Sequence, residues 1–134
     1  YQHLYRINFD GSGLRLLNKG EAEHDALMSD DEKYFVNNSS TVASAPASAL
    51  YNSEGRKLMD LEKTDLSSLK SAGYKFPETF KVKADDGITD LYGVLYKPFD
   101  FDSTKKYPVI AYVYPGPQTE AVNKSFGRGF DRID

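Results

Sequence analysis

EHDALMSDDEKYFVNNSSTVASAPASALYNSEGRKLMDLE, residues 23–62, decides the fold of the first half of this chain. EHDALMS (23–29) and KYFVNNSS (33–40) are strand-like runs separated by DDE, and ASALYN (47–52) and KLMDLE (57–62) are separated by SEGR. Asp side chains bond local backbone amides and Gly accepts positive φ, so both separators read as hairpin turns. Just upstream, HLYRINF (3–9) places Tyr5, Ile7 and Phe9 on one face, and DGSG (10–13) turns the chain into LRLLN (14–18). Four consecutive strands from about Ala22 to Leu61, preceded by a hairpin, have the size of one propeller blade plus the end of another. A generic antiparallel meander is the competing architecture.

Beyond this region the pattern changes. LSSLKSA (66–72) predicts a short helix capped by Thr64 or Asp65 and ended by Gly73, within a linker over 64–77. TFKVKA (79–84) and DLYGVLYKP (90–98) then alternate as strands around Asp86-Gly87. A third strand is expected at Val109, Ile110, Ala111, Tyr112 and Val113. Its two apolar faces suit burial on both sides in a parallel sheet. Pro115, Gly116 and Pro117 cannot continue it, which puts Tyr114 at the strand's C-terminal rim, the place where open α/β sheets bind ligands.

The chain has 134 residues, 40 % of them hydrophobic, and a net charge of −3. That supports a modest globular core and gives no basic stripe for nucleic acid. Ten Tyr and eight Phe suit strands better than helices, and the lack of Cys removes disulfides and thiolate chemistry. No run reaches the roughly 20 apolar residues of a membrane-spanning helix. The chain starts without Met, in what reads as mid-strand, and stops at SFGRGFDRID, so it is expected to come from a longer protein.

Few residues offer chemistry. A serine hydrolase needs Gly-x-Ser-x-Gly with Asp and His partners, and the sequence holds no such elbow; Ser12 in DGSG belongs to a hairpin loop. His3 and His24, the only histidines, lack a second His or a Cys at metal-ligand spacing and read as structural. Asp30-Asp31 and Asp85-Asp86 sit at turns, where capping explains them. Asn37, Asn38 and Asn123 each begin an Asn-x-Ser triplet, a pattern common by chance. FGRGF (126–130) is too short for a phosphate-binding fingerprint. Tyr114 remains: it either packs under the Pro-rich loop or presents a phenol, protonated at neutral pH, to a developing oxyanion.

DDGITDLYGVLYKPFDFDSTKKYPVIAYVYPGPQTEAV (85–122), with DG, LYG, YKP, FD, KKYP and VYPGP in that order, resembles the opening of the catalytic domain in the dipeptidyl peptidase IV group of the prolyl oligopeptidase family of serine peptidases. HLYRINFDGSG, MSDDEKYFVNNSSTVASAP and LYNSEGRKLMDLE are similar to the last part of that family's β-propeller. The resemblance implies a mainly β chain with some α: a partial propeller over 1–63, then a linker and the first strands of an α/β-hydrolase sheet over 64–134. It implies that Tyr114 lends its hydroxyl to the oxyanion hole. The family's Ser, Asp and His, and its paired Glu for the substrate amino terminus, map to no position of this sequence. The implied function of the longer protein is release of Xaa-Pro or Xaa-Ala dipeptides from peptide N-termini through an acyl-enzyme, without a cofactor or metal, in the periplasm or outside the cell. A non-catalytic relative that binds partners through the same folds is the alternative. The 134 residues alone are expected to be inactive and to self-associate through exposed strand edges.

Overall fold

The structure, a computed structural model, describes residues 1–114 and 122–127. Strands dominate it: β1 (Tyr5–Arg6), β2 (Arg15–Leu16), β3 (Glu23–Met28), β4 (Tyr34–Thr41), β5 (Ser44–Asn52), β6 (Lys57–Lys63), β7 (Glu78–Lys83) and β8 (Asp90–Leu95), with one helix, α1 (Ser67–Ser71). All the ladders are antiparallel. The chain divides into two compact units: among the described residues, Tyr1–Asp65 with Lys124–Phe126, and 66–114 with 122, 123 and 127.

In the first unit β3-β4-β5-β6 form one four-stranded sheet in sequence order, as successive hairpins must, and β1-β2 form a separate ladder. Phe35 and Tyr51 face each other across β4 and β5, their rings stacked 5.0 Å apart, and Phe35 is almost wholly buried. Two residues along β4, on the same face, Asn37 is buried as well. Strand β6 is exposed at every residue. It carries Lys57, Asp60, Glu62 and Lys63, and register shifts at Ser48/Ala49 and Leu50/Tyr51 interrupt its pairing with β5. Charges and bulges of this kind discourage edge-to-edge pairing.

The turns follow their residue chemistry. The Asp31 carboxylate accepts from Ser29 Oγ at 2.8 Å and from the Lys33 amide at 3.2 Å. Between β5 and β6 the Asn52 side chain accepts from the amides of Glu54 and Arg56, at 3.2 and 2.9 Å, and Gly55 takes φ 76°. Glu54 also receives Arg6 at 2.6 Å and Arg15 at 2.7 Å, tying this turn to the β1-β2 ladder. All three side chains are half exposed, so each pair is worth about 0.2–1 kcal/mol at most.

In the second unit α1 is anchored at its C-terminus. The Gly73 amide donates to Lys70 O at 2.9 Å and the Tyr74 amide to Leu69 O at 3.1 Å, a Schellman arrangement with Gly73 at φ 94°. The expected caps are corrected: the N-cap is Leu66, which has no side-chain acceptor, and neither Thr64 nor Asp65 occupies that position. A single helical turn is held here by its glycine end and by packing. Tyr74, buried, meets Phe76 and Phe99 edge-on at 5.5 and 5.7 Å. Strands β7 and β8 pair from Glu78↔Leu95 to Lys83↔Asp90, with Phe80 opposite Gly93.

The third strand of this half is also corrected. Residues 109–113 form no strand, and their apolar side chains are exposed, Ile110 at 85 %. A strand buried on both faces exists only with neighbours on its edges and layers on its faces. Among the described residues β7 and β8 pair only with each other, and no strand runs beside 109–113.

Candidate functional site

Tyr114, the one candidate with a chemical role, follows a short self-bonded segment in the second unit. Lys97 extends from the end of β8 to the Glu78 carboxylate, 2.7 and 2.8 Å from its two oxygens, and its ammonium lies 4.9 Å from the centre of the Phe101 ring. Phe101 in turn stacks on Tyr107 at 5.1 Å with 29° between the rings. The Tyr107 hydroxyl accepts from the Asp102 amide at 2.9 Å, closing the loop. Within it the Asp102 carboxylate accepts from the Thr104 amide at 2.9 Å and from Thr104 Oγ1 at 2.7 Å, bonds that lower its pKa below the ordinary value. The loop closes just before Pro108. From there the chain runs through Val109–Val113 to Tyr114, whose side chain is 49 % exposed. Pro115, Gly116 and Pro117 lie outside the described residues.

The histidines meet in the first unit, with ring centres 4.9 Å apart. Asn37 Nδ2 donates to His24 Nδ1 at 3.0 Å, which requires the His24 proton on Nε2, facing Gly20 O at 3.3 Å. Asn18 Nδ2 donates to Asn37 Oδ1 at 2.9 Å, while Asn18 Oδ1 accepts from the Leu4 amide at 2.8 Å. His3 Nδ1 donates to Asn18 O at 3.1 Å. Each polar atom of the two buried amides faces a partner of the opposite kind, so the cluster joins β3, β4 and the first hairpin without needing water. Among the described residues no three His, Cys, Asp or Glu side chains are placed to hold a metal ion. Sequence reasoning missed this cluster. The only signal was asparagine within strand-like runs of the sequence, Asn18 in LRLLN and Asn37 in KYFVNNSS, where asparagine is disfavoured.

The structure sorts the three Asn-x-Ser triplets. Asn37 is buried and committed to Asn18 and His24, Asn38 is half-buried and accepts from Ser48 Oγ, and Asn123 is exposed. Asp86 caps its turn, accepting from the amides of Ile88 and Thr89, both at 2.8 Å, and from the Thr89 hydroxyl. No helix among the described residues is long and apolar enough to cross a membrane.

No protein-family model matches the chain. Individual proteins do. It is 33 % identical over 133 residues to dipeptidyl peptidase 8 of Mus musculus, which covers 92 % of this chain and 15 % of that protein. It is 32 % identical over 135 residues to the probable dipeptidyl-aminopeptidase B of Emericella nidulans, covering 96 % of this chain and 15 % of the relative. Dipeptidyl-aminopeptidase B of Aspergillus niger is 32 % identical over 136 residues, with the same shares. The chain thus spans about 15 % of the length of these relatives. With matches that run through both compact units, it belongs to the dipeptidyl peptidase family.

Proposed function

We propose that this chain is part of a serine exopeptidase that removes Xaa-Pro or Xaa-Ala dipeptides from peptide N-termini through an acyl-enzyme, and that Tyr114 supplies one oxyanion donor. In that reading residues 1–63 end a β-propeller, and 64–134 are the linker and start of an α/β-hydrolase domain. The observation that carries it is identity of 32–33 % to dipeptidyl peptidases over more than nine-tenths of the chain. Tyr114 stands at the tyrosine of the VYPGP run, the position to which the resemblance assigns the oxyanion donor. The hydroxyl hydrogen-bonds the carbonyl oxygen as negative charge develops there, while nucleophile and base come from elsewhere in the longer protein. The 134 residues alone are inactive, since an oxyanion donor without a nucleophile forms no acyl-enzyme.

The test is release of a chromogenic leaving group from a Gly-Pro substrate by the full-length protein, comparing wild type with Tyr114→Phe. Loss of one donor lowers kcat about 100- to 1000-fold with little change in KM. An active enzyme indifferent to the substitution returns Tyr114 to packing, and an inactive wild type favours a non-catalytic binding protein on the same folds. The isolated chain self-associates through exposed strand edges, that of β3 in preference to the charged and bulged β6. A monomer by light scattering at high concentration removes that part.

A further inference from the structure

The run from Val109 to Tyr114 is VIAYVY, apolar on both faces and without charge. An alternating strand fixes its own register, because a slip of one residue turns its apolar side chains to water. A run apolar on both faces carries no such penalty. Once the run is flanked as a strand of the proposed hydrolase sheet, a slip of one residue would move the Tyr114 hydroxyl by about 3.3 Å and send it to the opposite face. Something outside the run must fix its start.

We propose that Tyr107 is a positioning residue for Tyr114: its hydrogen bond to the Asp102 amide, with the Phe101 stack, pins the chain at Pro108 and so sets the register in which the Tyr114 hydroxyl is presented. This rests on the oxyanion role proposed for Tyr114. The anchor is built at one end of the second unit's ladder, where Glu78 pairs with Leu95. Glu78 opens β7 and holds Lys97 beyond β8, Lys97 covers Phe101, Phe101 stacks on Tyr107, and Tyr107 closes on Asp102. Every link is local to 78–107 and none involves 109–114. The anchor therefore stays the same whichever strands later flank the run.

The experiment is a double-mutant cycle in the full-length peptidase, with Tyr107→Phe and Tyr114→Phe assayed on the chromogenic Gly-Pro substrate. Tyr107→Phe keeps the ring stack and deletes only the hydroxyl. Small misplacements of catalytic groups cost up to about 100-fold, and we expect Tyr107→Phe to lower kcat about 10-fold with KM within about twofold. In the Tyr114→Phe background the same change should alter kcat less than about twofold, since the group it positions is gone. A loss of equal size in both backgrounds, or no loss in either, overturns the positioning role while the Tyr114 role stands. Indifference to Tyr114→Phe alone refutes the oxyanion reading, and the Tyr107 proposal with it. On the 134-residue chain, hydrogen exchange reads the anchor directly: the Asp102 amide should exchange about 10-fold faster in Tyr107→Phe. Unchanged protection there shows that the bond does not hold the loop.

Discussion

Gly55 lies directly against the backbone of Leu17. A Cβ at residue 55 would stand 2.6 Å from the Leu17 carbonyl oxygen and 2.9 Å from its Cα, at a φ of 76°. The β5-β6 turn and the segment just after β2 thus approach closely only because residue 55 has no side chain. Gly87 offers the matched comparison, since it also has positive φ, 69°, but has nothing within 4 Å of the same position. Gly87→Ala is expected to cost about 1 kcal/mol for the left-handed backbone alone. Gly55→Ala should cost about 2–4 kcal/mol, because backbone atoms must also move apart. Urea unfolding of the two variants measures the difference. Equal losses would mean that Leu17 yields freely.

Asn37 is the centre of the buried polar cluster, and its removal leaves two groups without partners. Asn37→Ala strips Asn18 Nδ2 of its acceptor and His24 Nδ1 of its donor. Each stranded buried group costs about 1–3 kcal/mol, so a loss of about 2–6 kcal/mol is expected. Asn18→Ala should cost a similar amount, and the double variant clearly less than the sum, because the bond between them is lost only once. Additive losses in urea melts would show that the two amides act independently.

Asp86 gives a prediction in pH. Its bonds from the Thr89 hydroxyl, the Thr89 amide and the Ile88 amide lower its pKa below the ordinary 3.8. A carboxylate with a depressed folded value contributes stability that is fully present above the unfolded value. That contribution is lost as pH falls through the folded one. Carbon-detected NMR titration of Asp86 should give a midpoint below 3.8 in the folded chain and a return to the ordinary value in urea. A folded midpoint at or above the ordinary value would show that the turn is open in solution.

Much of the architecture was legible because it is local. The four strands of 23–63 follow from short strand-like runs punctuated by DDE and SEGR, and sequential hairpins leave little freedom in strand order. Gly73 and Asp86 act where their chemistry places them, since a helix C-terminus and a tight turn involve only a few consecutive residues. The Leu66 N-cap was not legible, because two residues that cap well, Thr64 and Asp65, stand just before it.

By itself the sequence determined the β-rich architecture, the turns and, through its ordered motifs, kinship with the dipeptidyl peptidases, because these depend on residue type over short spans. Only the tertiary structure decided that His24, Asn37 and Asn18 share one hydrogen-bonded cluster, that Gly55 meets Leu17, and that Tyr107 closes on Asp102. The first two join residues far apart in the chain, and the third needs a ring stack to set its geometry. The exposed run at 109–113 draws the same line: apolar composition makes a strand possible, but burial on two faces is conferred by neighbours, which no local pattern contains.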